Sequence, residues 1–175
     1  TIIHNTIHDT QDEAIELKGD SHNITVDGNT IYNCILPGSS FSSTGGCIEI
    51  DEPRNTATNP QQLIRNNIVH DVIVSAGITK RALRMGTGTT AYNNVIYNIA
   101  SGNTCVLSNS SNFPRVFYQN TVDCTIANAL VNSGTTLDSQ NNLGPGTSGN
   151  NRAITPSDFV NYASHDYRLV TGSPA

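Results

Sequence analysis

A short phrase recurs along this chain: an asparagine, two β-branched or apolar residues, then an aromatic or imidazole ring. It reads Asn5-Thr6-Ile7-His8-Asp9, Asn29-Thr30-Ile31-Tyr32-Asn33, Asn67-Ile68-Val69-His70-Asp71 and Asn94-Val95-Ile96-Tyr97-Asn98. Weaker copies follow at Asn120-Thr121-Val122-Asp123-Cys124 and Asn142-Leu143. From Asn5 through Asn29, Asn67, Asn94 and Asn120 to Asn142 the steps are 24, 38, 27, 26 and 22 residues. Such periods belong to stacked repeats, in which one unit cannot bury its apolar face alone. Function must then be sought in columns of equivalent residues.

Each repeat divides into three short strands separated by turns rich in Gly, Asn, Asp and Ser. The first strand runs through Ala14–Lys18, Cys47–Asp51, Ala82–Gly86, Cys105–Asn109 and Ala129–Ser133. Alternation places Ile15, Ile48, Leu83, Val106 and Leu130 in one inward column, and Leu17, Ile50 and Met85 in a second. Glu16, Glu49 and Arg84 then face outward, with Lys18 and Asp51 in the next outward column. A second strand precedes each asparagine (Ile24–Val26, Leu63–Arg65, Thr90–Tyr92, Val116–Tyr118). A third follows it (Thr30–Tyr32, Ile68–His70, Val95–Tyr97, Thr121–Asp123).

Three strands per coil and roughly 22–27 residues per coil predict an all-β, right-handed parallel β-helix of about five coils. The asparagine falls at the bend between second and third strands. Asn tolerates the left-handed conformation, and its amide can bond the equivalent amide one coil away, so a ladder is expected. Residues 1–153 are assigned to the coils and 154–175 to a terminal segment covering the last strand edges. The chain opens inside a repeat and is expected to be a piece of a longer polypeptide.

Composition removes several function classes. There are 9 Lys and Arg against 14 Asp and Glu, a net charge of −5, so nucleic acid is not the expected partner. No run of about 18 apolar residues predicts membrane insertion. The four cysteines, Cys34, Cys47, Cys105 and Cys124, are spaced for local bridges, yet serve equally as small apolar residues in stacked columns.

The asparagine-led repeats, the stretch Ile15-Glu16-Leu17-Lys18-Gly19-Asp20-Ser21-His22-Asn23-Ile24-Thr25-Val26-Asp27-Gly28-Asn29 and the ending His165-Asp166-Tyr167-Arg168-Leu169 resemble the pectate-lyase-like superfamily of secreted β-helix proteins. That resemblance implies the fold, a secreted or cell-surface location and a polysaccharide partner. It does not choose among lyases, hydrolases, epimerases, tailspikes and non-enzymatic surface proteins.

Candidate chemistry lies beside the first strand. Asp12-Glu13-Ala14-Ile15-Glu16 is similar to the acidic turn with which family-nine polysaccharide lyases hold Ca²⁺, which would make Asp12, Glu13 and Glu16 the metal ligands. Two of these acids are Glu where the family pattern has Asp. One coil on, Glu49-Ile50-Asp51 shares the acid spacing of family-six lyases but lacks the lysine that follows it there. The expected substrate-binding residues are Glu49, Asp51, Arg54 and Arg81. Lys18, Lys80 and Arg84 are the catalytic candidates, because elimination on a uronate needs a base and a cation over the developing charge. The same side chains also suit exposed cross-coil ion pairs. His8, Tyr32, His70 and Tyr97 form an aromatic column that is either structural or a face for sugars. Loops at 36–46, 52–61 and 74–80 emerge beside the first strands, where they could wall a groove. Two functions follow: Ca²⁺-dependent β-elimination on an acidic glycan, or a non-catalytic surface, adhesive or fibre-forming module whose coils self-associate end to end.

Overall fold

The computed structural model describes residues 1–18, 21–36, 45–51, 61–72, 81–100, 104–110, 113–124, 130–134, 136–144 and 151–173. The chain is a right-handed parallel β-helix of three sheets. The first sheet stacks Ile15–Leu17, Gly46–Ile50, Arg81–Met85, Val106–Ser110 and Leu130–Gly134. The second stacks Ile2–Ile3, Ile24–Asp27, Gln62–Arg65, Thr89–Tyr92, Arg115–Tyr118 and Leu137–Gln140. The third stacks Thr6–His8, Thr30–Tyr32, Ile68–Val72, Val95–Ile99 and Thr121–Asp123. Among the described residues the only helices are two short 3₁₀ turns, and no helix is long and apolar enough to cross a membrane.

The register is that of the repeat. Ile15 pairs with Ile48, Ile48 with Leu83, Leu83 with Val106 and Val106 with Leu130, giving the expected inward column. Val26, Ile64, Ala91 and Phe117 fill the same role in the second sheet, and Ile31, Val69, Ile96 and Val122 in the third; all are buried. The core is thus a prism of stacked β-branched and aliphatic side chains, each layer covered by the next.

The asparagine ladder forms, and it is longer than the repeat suggested. Side-chain amides bond in sequence from Asn5 to Asn29, Asn67, Asn94, Asn120, Asn142 and finally Asn151, at 2.8–3.0 Å. Each Oδ1 from Asn29 onward also accepts the backbone N–H of the preceding rung. The Nδ2 groups of Asn29, Asn67, Asn94, Asn120 and Asn142 also donate to main-chain carbonyls of the preceding coil, those of Ile2, Val26, Ile64, Ala91 and Phe117. Every inner amide is therefore saturated although buried, as the cost of burying polar groups requires.

The left-handed residue of this bend is not the ladder asparagine but the one before it. His4, Gly28, Asn66, Asn93, Gln119 and Asn141 have φ of 54°, 65°, 55°, 54°, 53° and 53°. This lets the ladder residue keep an ordinary backbone and aim its amide along the helix axis.

Both cysteine pairs are bridged. Cys34–Cys47 joins the end of a third strand to the first strand that follows it. Cys105–Cys124 instead links adjacent coils. The tail forms a short antiparallel pair, Phe159–Asn161 with Asp166–Leu169. It lies against the outer face of the third sheet: Tyr162 and Tyr167 donate to Asp123 at 2.9 and 2.7 Å, and His165 stacks on Tyr97.

Replacing Asn67 by Ala deletes two donated bonds and strands the backbone and side-chain N–H groups of Asn29. At about 1–3 kcal/mol for each buried group left unsatisfied, Asn67→Ala is expected to lower the urea-unfolding free energy by about 3 kcal/mol or more. Asn5→Ala, at the exposed end of the ladder, should cost less than about 1 kcal/mol. Equal losses would show that the ladder does not carry the turn.

Candidate functional site

The first sheet presents its charged column outward in register: Glu16 beside Glu49, Glu49 beside Arg84, then Leu107 and Val131. Among the described residues, charge in this column is confined to the first three coils, and its last two positions are apolar. Glu49 is the central group and is almost wholly buried. Its Oε2 accepts the backbone N–H of Gly46 at 2.9 Å, while Oε1 pairs with Arg84 Nη1. Arg84 Nη1 also holds Asp51 Oδ1 at 2.8 Å, and its Nε reaches Asn109 Oδ1 at 3.3 Å. On the outer side, Lys18 Nζ lies 2.7 Å from Glu16 Oε1.

Electrostatics follow from this crowding. Burial pushes the Glu49 carboxyl above the usual carboxylate range, against the pull of Arg84. Glu13 is pushed up to about 7, chiefly by burial and then by a hydrogen bond with Asp12. It fits beside Glu49 because residue 45 is glycine: a Cβ there would overlap Glu13 Oε1. Lys18 is raised as well, but because its hydrogen bond to Glu16 stabilises the charged ammonium. Burial, and then the neighbouring Arg84 charge, lower the Arg81 guanidinium.

One oxygen from each of Glu16, Glu49 and Asp51 lies within 4.8 Å of the other two. Oxygens so spaced can all touch one ion at the 2.3–2.6 Å typical of Ca²⁺. The donor chemistry therefore fits a hard cation, but the set differs from the expected one. Glu16 belongs to it, Glu13 borders it through Glu49, and Asp12 contributes only its contact with Glu13. Glu49 and Asp51, expected to touch substrate, are instead the other two carboxylates of the cluster. Arg84 stands inside the cluster as its counter-charge, and Arg81 opens the same strand. Lys80 and Arg54, and the greater part of the three loops, lie outside the described residues.

The aromatic column is also real. His8, Tyr32, His70 and Tyr97 stack at centroid distances of 4.8, 5.1 and 4.9 Å with planes within 16° of parallel, and His165 of the tail adds a further ring at 4.5 Å. Because inner rings cover each other's faces, only their edges meet solvent. This arrangement favours the structural reading of the column, since sugars bind to exposed ring faces. Sequence reasoning missed what accompanies it. His8 and His70 bond Asp9 and Asp71 at 2.7 and 2.8 Å, and those acids accept from Asn33 and Asn98 of the next coils. The signal was present in the alternation His-Asp, Tyr-Asn, His-Asp, Tyr-Asn.

The chain matches no protein-family model, no curated protein and no solved structure.

Because Glu13 holds its proton to about pH 7 in the folded state and only to about 4.5 when unfolded, the folded chain binds more protons between those values. Stability should therefore fall as pH rises from 4.5 to 7. Glu13→Gln removes that contribution, so its melting temperature should decline less steeply through this window. Identical slopes would place Glu13 in an ordinary solvated setting.

Proposed function

We propose that this chain is an extracellular carbohydrate-active domain, polysaccharide-lyase-like, that binds an acidic, uronate-bearing glycan across the first sheet with Ca²⁺. The observation that carries this reading is the cluster of Glu16, Glu49 and Asp51 with Arg84 on one sheet face. Glu16, Glu49 and Asp51 would hold the ion, which would supply positive charge to stabilise the negative charge that develops on the sugar acid. Binding would free Arg84 from its two carboxylates to meet the substrate's negative charge. The two disulfides support an oxidising, extracellular location.

Elimination on a uronate breaks the C5–H bond and passes its electrons into a new C4–C5 double bond. The C4–O bond breaks, and the leaving oxygen takes up a proton. Lys80, the residue that precedes the Arg81–Met85 strand in the sequence, is the candidate for the base that would take the C5 proton. Lys18, held protonated by Glu16, suits substrate binding better.

The second reading, a non-catalytic surface module, is favoured by the same ion pairs, since Lys18 and Arg84 are both neutralised by neighbouring carboxylates. One assay separates the two. Pectate, alginate and glycosaminoglycans are incubated with the protein, with and without chelator, and followed by the ultraviolet absorbance of unsaturated uronides. The lyase reading expects absorbance on one polymer, lost with chelator and lost in Glu49→Gln/Asp51→Asn. Retention of a polymer without any unsaturated product would assign the surface-module reading, and absence of both would overturn the acidic-glycan proposal.

A further inference from the structure

The outer face of the second sheet carries a groove of about 620 Å³ that is unlike the charged face. Its floor is Thr25, Leu63, Thr90 and Val116, side by side in register on four successive strands. With strands about 4.8 Å apart, the floor runs roughly 14 Å along the helix axis. Tyr92 and Tyr118 form one wall, their rings stacked at 5.0 Å and 16°. The amides of Asn23 and Gln61, both exposed, stand in the turns opposite.

Among the described residues lining this groove none is charged. Arg65, which reaches the Tyr92 wall, is engaged on both sides: its Nε and Nη2 both lie 2.8 Å from Asp27 Oδ2, and its Nη1 donates to the Tyr92 hydroxyl at 2.9 Å. That bond fixes the Tyr92 oxygen as an acceptor and leaves its O–H as a donor. The lining therefore offers neutral donors and acceptors along the edges and methyl groups along the floor, with no charge for an ionic ligand to meet.

We propose that this groove binds an uncharged linear polysaccharide laid along the helix axis, at a site separate from the first-sheet face and needing no cation. Sugar hydroxyls would exchange hydrogen bonds with Tyr92, Tyr118, Asn23 and Gln61, and C–H faces would rest on Leu63 and Val116. A peptide is a poorer occupant. Lying across the strands, it would find their N–H and C=O groups already bonded between coils, so it could not add as a strand.

The test is titration of the whole chain, in chelator, with cellohexaose, xylohexaose and mannohexaose. It is followed by calorimetry and by tyrosine emission, which is readable because the chain has no Trp. One hexasaccharide is expected to saturate at one site per chain with a change in tyrosine emission. Thr90→Glu should weaken it on the order of tenfold or more by placing an unpaired carboxylate under the sugar, while Thr90→Ser, which keeps the hydroxyl, should stay close to wild type. Circular dichroism of both variants establishes that they are folded. Glu49→Gln/Asp51→Asn should leave this binding unchanged, which separates its outcome from that of the acidic-glycan site. Failure of all three sugars to saturate, wild-type affinity in folded Thr90→Glu, or saturation only by unfolded carboxymethylated α-lactalbumin would each overturn the proposal.

Discussion

The ladder of asparagine amides between the second and third sheets is the constraint on which the remaining geometry depends. Each coil must bend there through two residues, and the bend leaves main-chain groups inside the protein with no strand partner. A side chain of one length, carrying one acceptor and two donors, can satisfy its own coil and both neighbours. Asn meets that need; Gln would reach too far, and Asp would lack the donors. Because each rung specifies the next, the register of the second and third sheets follows from the ladder. The columns of Ile, Val and Leu are then brought into layers without further instruction.

Much of this was legible in the sequence because a repeat shows its own period. The inward columns, the outward run Glu16, Glu49 and Arg84 and the aromatic column all follow from alternation applied in register. Three things did not. The last rung, Asn151, lies only nine residues beyond Asn142, because the chain returns to the ladder without completing a coil, and no period announces that. The left-handed position is held by residues as different as His4, Gln119 and Gly28, so composition could not reveal it. The carboxylate cluster joins Glu16 to Glu49 and Asp51 rather than to Asp12 and Glu13, because neighbours across coils lie closer than neighbours along a turn.

The His-Asp and Tyr-Asn alternation along the third sheet shows how a stack avoids repelling itself. An acid at every coil would place like charges about 4.8 Å apart. Interposing Asn33 and Asn98 doubles that spacing and supplies each aspartate with an amide donor. Where the rule stops, at Asp123, the strand lacks a ring, and the tail brings His165 onto Tyr97 while two tyrosine hydroxyls satisfy the acid. The tail thus completes the column as well as lying beside it.

The charged face obeys the opposite logic, which is why it draws attention. Glu16 and Glu49 are direct cross-coil neighbours with no amide between them, and Glu49 is buried besides. A purely structural column gains nothing from that juxtaposition, since apolar or amide residues stack at lower cost, as the second and third sheets demonstrate. Here the sheet tolerates two neighbouring acids by placing Arg84 across Glu49 and Asp51 and by leaving residue 45 without a side chain so that Glu13 can enter. The Cys34–Cys47 bridge closes the chain immediately beside this arrangement and holds the strand that carries it. Like charges kept side by side by a counter-ion, a glycine and a covalent staple set this face apart from the ladder, whose buried groups are all neutral amides.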